Sequence, residues 1–154
     1  MPAVGPLRYV VKSTGPPAPI TRIALPHEQT ATTRTPEAVL RDVFGFDEFR
    51  PGQREVIDAV LAGKDCIALM PTGAGKSLTY QLPARLLEGT VLVISPLISL
   101  MKDQVDAVAG LGFKVTAINS TLEFDERRAR MEAFRAGEYE LVFLAPEALD
   151  GYLG

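Results

Sequence analysis

Residues 70–77 read MPTGAGKS, a run that could hold a chain of phosphates. Glycines at positions 73 and 75 allow the backbone to turn its N–H groups onto an anion. The Lys76 ammonium would reach the β- and γ-phosphates, and the Ser77 hydroxyl would bind the Mg²⁺ that bridges them. We therefore predict a nucleoside triphosphate site with a catalytic role for Lys76 and with contacts from Thr72, Gly73, Ala74, Gly75, Lys76 and Ser77.

A strand before this loop and a helix after it are needed to position it. The apolar residues 66–70 predict a buried strand, and residues 76–87 predict the helix. Met70 stands where the strict pattern has Gly. The alternative is a strand-turn-helix corner that holds no ligand, although a turn alone does not require Gly-Lys-Ser at this spacing.

An aromatic ring, an arginine and a glutamine lie upstream of the loop, at the start of another predicted helix. The Gln53 amide has a donor and an acceptor, so it can pair with N6 and N7 of adenine, while Phe46 or Arg50 stacks on the ring. These residues predict an adenine site and therefore ATP as the ligand. Without the loop they would read as a helix entry with a hydrophobic staple, and that alternative stays open.

Helices and short strands alternate from Thr35 onward. Thr35 and Pro36 predict the start of a helix that ends at Gly45, and a second helix is predicted over 52–61. Further helices are predicted over 98–111 and 124–136, the latter after a capping box formed by Ser120 and Glu123. Apolar segments rich in β-branched residues predict four strands, at 66–70, 90–95, 114–118 and 140–144.

Continuous apolar strands of this kind occur in sheets that are covered on both faces. The predicted fold class is therefore α/β, a parallel sheet with helices on both faces. Seven of the twelve prolines fall in the first 36 residues. Residues 1–34 are accordingly predicted to be a disordered, proline-rich arm, and residues 35–154 to form the domain.

Composition limits the other classes of function. The 154 residues are 47% hydrophobic and carry a net charge of −3, with the acidic excess in the predicted domain, so a broad basic surface for nucleic acid has no support. The only cysteine, Cys66, is expected in the core, and the only histidine, His27, lies in the arm away from any site. Without an apolar run of eighteen residues, we expect no membrane span and an intracellular location.

Five segments together resemble the RecQ-type ATP-dependent DNA helicases of helicase superfamily two, over about residues 38–147. The segment at 95–104 best separates this family from the DEAD-box RNA helicases, because those proteins have a different sequence at the same motif. The five segments are 44–53 (FGFDEFRPGQ), similar to motif 0; 70–77 (MPTGAGKS), similar to motif I; 95–104 (SPLISLMKDQ), similar to motif Ia; and 119–120 (NS) and 145–147 (APE), similar to two later signatures.

The resemblance implies a RecA-like first motor domain that works with a second such domain. Together they would hydrolyse ATP with Mg²⁺ and move three-prime to five-prime on single-stranded DNA or DNA junctions, in repair and recombination. The location implied is the bacterial cytoplasm and nucleoid, or the nucleus of a eukaryote. Ser99 and Lys102 would lie near the DNA backbone, where a hydroxyl and an ammonium suit phosphates. Their alternative reading is a helix cap and a solvated lysine.

The chain also departs from the family pattern. The family's Asp-Glu-Ala-His run, which serves the metal and the attacking water, has no counterpart here, and Ala148 stands where the family usually has arginine. Glu147 is expected to begin a helix rather than bind Mg²⁺. We therefore expect a truncated domain of marginal stability that does not unwind DNA alone. The alternatives are a non-catalytic nucleotide- or DNA-binding module and an unrelated P-loop kinase.

Overall fold

Three short parallel strands form the sheet of this protein in a computed structural model that describes residues 34–148. Expectations for the N-terminal arm and His27 lie outside the described residues. No helix within the described part of the chain is both long and apolar enough to cross a bilayer. The elements in chain order are α1 (Pro36–Phe44), α2 (Gln53–Leu61), α3 (Leu78–Ala84), β1 (Val91–Ile94), α4 (Ile98–Ala109), β2 (Val115–Ile118), α5 (Phe124–Arg135), β3 (Leu141–Leu144) and a 3₁₀ turn (Pro146–Ala148).

The strand that comes last in the chain lies at the centre of the sheet, which has the order β1-β3-β2. Phe143 of β3 pairs with Val93 on one side and with Ala117 on the other. Every residue of β3 is buried, as expected for a central parallel strand. The predicted positions of these three strands and their parallel arrangement are confirmed.

Helices cover both faces of the sheet. On one face, Phe143 and Val93 pack against Tyr80 of α3 and Met101 of α4. On the other face, Val142 and Leu144 of β3 pack against Met131 of α5, in a cluster with Ile118. The predicted layering is therefore confirmed, because alternate residues of one strand serve opposite helical layers.

The first two helices pack against α3. This helix follows residues 70–77, the predicted phosphate-binding loop, which we call the phosphate loop. Val39 and Leu40 of α1, Ile57 of α2 and Leu82 of α3 share one buried cluster. The Thr35 hydroxyl caps α1 by accepting from the Ala38 N–H at 3.2 Å, as the sequence predicts. This helical cluster holds the start of α2 beside the loop.

The predicted buried strand at 66–70 is wrong. The segment has no regular secondary structure and pairs with no strand in the described structure, and its side chains alternate between half-buried and exposed. Ile67 is 93% exposed and Leu69 is 89% exposed. Cys66, expected in the core, is only half-buried. A continuous apolar run gives a segment its tendency to be a strand, but a neighbouring strand must supply the hydrogen bonds and the burial.

Two details of the helices also differ from prediction. The capping box is wrong, because α5 begins at Phe124 with Glu123 as its N-cap residue and without a side-chain cap bond. The helix predicted over 76–87 is shorter, since Lys76 and Ser77 form a turn before Leu78–Ala84. Pro83 lacks an N–H for the helical ladder, and the chain after it closes in tight turns.

An arginine clamp holds the edge of the sheet at which its strands begin. Arg85 Nη1 lies 2.7 Å from Glu140 Oε1, Arg85 Nη2 donates to the Leu111 carbonyl at 3.1 Å, and the guanidinium stacks 3.8 Å above the Phe113 ring. The second carboxylate oxygen of Glu140 accepts from the Lys114 N–H at 2.8 Å. The clamp therefore joins the chain after α3 to the starts of β2 and β3.

We expect Arg85→Met to lower the free energy of unfolding by about 1 to 3 kcal/mol, because a half-buried carboxylate loses its cation. Arg128→Met is the matched control. Arg128 pairs with Glu132 where both side chains are 66% exposed, so its loss is expected to cost less than about 0.5 kcal/mol. Chemical denaturation of both variants measures the difference. Equal costs would mean that the clamp adds no more than an exposed ion pair.

A candidate nucleotide site around the phosphate loop

The phosphate loop turns sharply at both of its glycines. Gly73 has φ 81° and Gly75 has φ 73°, a region that favours glycine over any other residue. The Ala74 N–H donates back to the Pro71 carbonyl at 3.2 Å, and the Thr79 hydroxyl donates to the Lys76 carbonyl at 2.6 Å. These bonds fix a compact loop between residues 66–70 and α3.

The structure brings the glutamine predicted for adenine against this loop. Gln53 is the first residue of α2 and is only 3% exposed. Its Nε2 donates to the Gly75 carbonyl at 2.9 Å and to the Ala74 carbonyl at 3.2 Å, and its Oε1 accepts from the Arg50 N–H at 2.8 Å. The amide group that was predicted to pair with a base therefore holds the loop.

Arg50 also contacts the loop. Its Nη1 donates to the carbonyl of Gly73, 23 residues further along the chain, at 2.5 Å. The Arg50 side chain thus donates to the carbonyl of the first glycine of the loop, while Gln53 donates to that of the second. The proximity of the 44–53 segment to the loop follows from the packing of α2 on α3 and not from any local pattern.

A cavity of about 210 Å³ opens beside Gln53 and the loop. Phe46, which is 52% exposed, and Arg50 lie on it, so the three residues predicted for adenine share one cavity. Gln81, which also lines the cavity, was not singled out from the sequence. Its position one helical turn after Ser77 was the only feature that could have indicated this. The cavity is lined by Phe44, Phe46, Glu48, Arg50, Gln53, Gly75, Ser77, Leu78 and Gln81.

For a magnesium ion the described residues offer little beyond the Ser77 hydroxyl. No cluster of three His, Cys, Asp or Glu side chains suited to a metal occurs within residues 34–148. Mg²⁺ is commonly held by a few protein groups, waters and the phosphates of its substrate. Ser77 is therefore compatible with an ion that arrives with a nucleotide, and it does not make a metal site by itself.

Residues after the three strands gather at the other edge of the sheet, opposite the arginine clamp. Because parallel strands end at the same edge, Ser95, Asn119 and Ala145 lie there together. The Ser120 hydroxyl donates to Glu147 at 3.1 Å, so the segments at 119–120 and 145–147 are in contact. Glu147 lies in a 3₁₀ turn, which fits its predicted place at the start of a helix.

Helix α4 carries the two residues predicted to contact DNA. Ser99 and Lys102 are both exposed near its start. Gln104 of the same helix accepts a hydrogen bond of 2.5 Å from the hydroxyl of Tyr80 in α3. The helix that would contact DNA therefore touches the helix that follows the phosphate loop.

Known proteins match this chain at the levels of sequence and fold. The chain is 48% identical over 123 residues to "ATP-dependent DNA helicase RecQ" from Pasteurella multocida, covering 80% of this chain and 19% of that protein. It is 46% identical over 114 residues to "ATP-dependent DNA helicase RecQ" from Bacillus subtilis, covering 73% of this chain and 19% of that protein. The chain thus spans about a fifth of the length of these relatives.

A solved structure shares the fold. It is titled "Crystal structure of hypothetical ATP-dependent RNA helicase from Sulfolobus tokodaii", and it aligns with a TM-score of 0.61 at 24% identity, over 77% of this chain and 35% of that one. This likeness supports the RecA-like arrangement of the sheet and helices. The model of the family described as "DEAD/DEAH box helicase" matches residues 50–153, and the chain therefore belongs to the DEAD/DEAH box helicase family.

Proposed function

We propose that this chain is the ATP-binding part of the first motor domain of a RecQ-type DNA helicase. The observation that carries the proposal is the contact of Arg50 and Gln53 with the phosphate loop beside one cavity. The segments that resemble motifs 0 and I are thereby joined into a single site. The relatives named RecQ support the choice of DNA over RNA.

In this proposal the phosphates of ATP lie on the loop and its base lies in the cavity. Lys76 would neutralise charge on the β- and γ-phosphates, and Ser77 would help to hold Mg²⁺, which supplies further charge neutralisation when bound. Phe46 and Arg50 would contact the adenine ring. Thr72, Gly73 and Ala74 would shape the loop around the phosphates. Gly75, which has no side chain, would leave room for the Gln53 amide beside the loop.

The whole protein would couple this site to movement on DNA. Together with a second motor domain, it would travel three-prime to five-prime along single-stranded DNA, in the compartment that holds the chromosome. Because ATP hydrolysis by such a motor depends on the DNA strand along which it moves, single-stranded DNA should stimulate ATP hydrolysis by the protein that contains both domains. A rate of ATP hydrolysis that does not change when DNA is added would contradict the proposal.

A second candidate is a nucleotide-binding module that does not hydrolyse ATP. It would use the same loop and cavity, which could hold a triphosphate without any group that orients an attacking water. ATP that binds the chain and is recovered intact, even when DNA and the second domain are added, would support this candidate. Phosphate release under the same conditions would support the motor.

We expect Lys102→Ala to weaken single-stranded DNA binding several-fold and to reduce the slope of log affinity against log salt by about 1, because one ammonium leaves the DNA backbone. Lys114→Ala is the matched control. Lys114 is also exposed, but it lies at the clamped edge of the sheet where the strands begin. Fluorescence anisotropy over a salt series measures both. An unchanged slope for Lys102→Ala would remove this residue from the DNA site.

A further inference from the structure

We propose that Gln53 positions the phosphate loop, so that it governs the binding of any triphosphate and not only the choice of adenine. This inference rests on the proposed function, because it concerns how the same site binds its ligand. It begins from the hydrogen bonds of the Gln53 amide. Both of its N–H groups are directed to carbonyls of the loop, and its oxygen is engaged by the Arg50 N–H.

The planarity of the peptide bond turns these contacts into an orientation. In a trans peptide the C=O of one residue and the N–H of the next point in opposite directions. Since the carbonyls of Ala74 and Gly75 point at Gln53, the N–H groups of Gly75 and Lys76 point to the opposite side of the loop. Successive N–H groups on one side of a turn form an anion-binding concavity. The Gly75 carbonyl also accepts from the Leu78 N–H at 3.2 Å, so Gln53 and the start of α3 together set the direction of the amides that would meet phosphate.

Arg50 acts on the preceding peptide in the same way. Its guanidinium binds the Gly73 carbonyl, so three consecutive carbonyls of the loop are held from the side of α2. The Gly73 and Gly75 conformations, both at positive φ, are what bring these carbonyls within reach. The two side chains thus hold the backbone of the loop from one side.

Close packing shows that the loop is built around the Gln53 amide. A Cβ placed on Gly75 would lie 2.5 Å from Gln53 Nε2, a distance at which one of the two must move. Gln53 as a residue is only 3% exposed, and a buried amide that loses its partners is costly. Pairing with adenine would require this amide to release at least one loop carbonyl. Base and loop therefore compete for one side chain.

The test compares Gln53→Met with Gln81→Met in the ligand-free 154-residue chain. Gln81 is the matched control, because its side chain lines the same cavity. The Ala74 amide donates to the Pro71 carbonyl within the loop, and the Leu78 amide donates to the Gly75 carbonyl that Gln53 also binds. Hydrogen exchange of these two amides is expected to become roughly tenfold faster in Gln53→Met, the effect of about one lost hydrogen bond. Exchange in Gln81→Met should match the parent. Unchanged exchange in Gln53→Met would overturn the inference.

Binding to inorganic tripolyphosphate and to ATP, both with Mg²⁺, supplies the second readout. Gln53→Met is expected to weaken both ligands by the same factor, roughly tenfold. A loss confined to ATP would assign Gln53 to the base alone and overturn the inference. If the parent binds neither ligand while exchange in Gln53→Met still rises, the proposed function fails and the role of Gln53 in the loop stands.

A second variant guards against misfolding. If Gln53→Met loses its cooperative thermal transition, Gln53→Glu replaces it in both measurements. Glutamate keeps the length of the side chain and the acceptor for Arg50, but its carboxylate cannot donate to the loop carbonyls. The same rise in exchange supports the inference, and exchange at the parent rate contradicts it.

Discussion

Lys76→Ala is expected to abolish the thermal stabilisation that Mg-ATP gives to this chain. A ligand that binds only the folded state at 100 times its Kd adds about 2.7 kcal/mol to the free energy of unfolding, which raises Tm by several degrees. In the proposed site the Lys76 ammonium would be the cation that meets the β- and γ-phosphates. Without it, the charge of the triphosphate has no compensating group of this kind on the loop.

Thermal melts with and without Mg-ATP measure this effect in the parent and in the variant. Lys64→Ala is the control, since Lys64 is exposed and lies before residues 66–70, which lead to the loop. It should retain the full ATP shift. In a protein that contains both of the proposed motor domains, Lys76→Ala should lower the rate of ATP hydrolysis by roughly a hundredfold or more, the usual effect of removing one group that stabilises developing charge. A Lys76→Ala chain that keeps the ATP shift would refute the site.

Gly75→Ala is expected to damage the site more than Gly73→Ala, although both glycines lie at positive φ. The strain of placing a side chain in that conformation is about 1 to 2 kcal/mol at either position. At Gly73 an added Cβ would meet no atom within 4 Å, whereas at Gly75 it would lie 2.5 Å from Gln53 Nε2. Only the second variant therefore forces the Gln53 amide away from the loop.

The difference between the two alanine variants isolates the share of Gln53 from backbone strain. Gly75→Ala should cost about 1 to 3 kcal/mol of unfolding free energy beyond Gly73→Ala, because a buried amide loses its partners. Tripolyphosphate affinity should fall further in the same order. Chemical denaturation and titration calorimetry provide the two measurements. Equal losses in both variants would show that the close approach of Gln53 is unimportant.

Local chemistry predicted those elements whose signals are complete within a few residues. The Thr35 cap and the Gly45 stop bound α1 as predicted, because a capping hydroxyl and a left-handed glycine act on adjacent backbone. The loop glycines, likewise, were identified from their spacing alone. The parallel strands β1, β2 and β3 were found because each is a dense apolar run.

Contacts between distant residues could not be predicted in the same way. Residues 66–70 have the composition of a strand, but pairing depends on a neighbour that the segment itself does not encode. Ser120 has the sequence context of a helix cap, yet its hydroxyl binds Glu147, which lies 27 residues away. The sequence predicts that the Gln53 amide pairs with adenine, whereas its contacts with the loop depend on how α2 packs on α3. The sequence shows which hydrogen bonds a side chain can make, but the packing of the helices and strands decides which partners it has.

The central position of β3 has a consequence for the growing chain on the ribosome. Within residues 34–148, β1 and β2 are hydrogen-bonded only to β3, which is made after them. At about 5 to 20 residues per second, roughly 3 to 10 s pass between the synthesis of Ile94 and that of Leu144. During this interval β1, joined later by β2, lacks its partner strand and is open to chaperones and to neighbouring nascent chains. A pause in translation before β3 therefore leaves none of the strand pairs of residues 34–148 formed, rather than a smaller sheet.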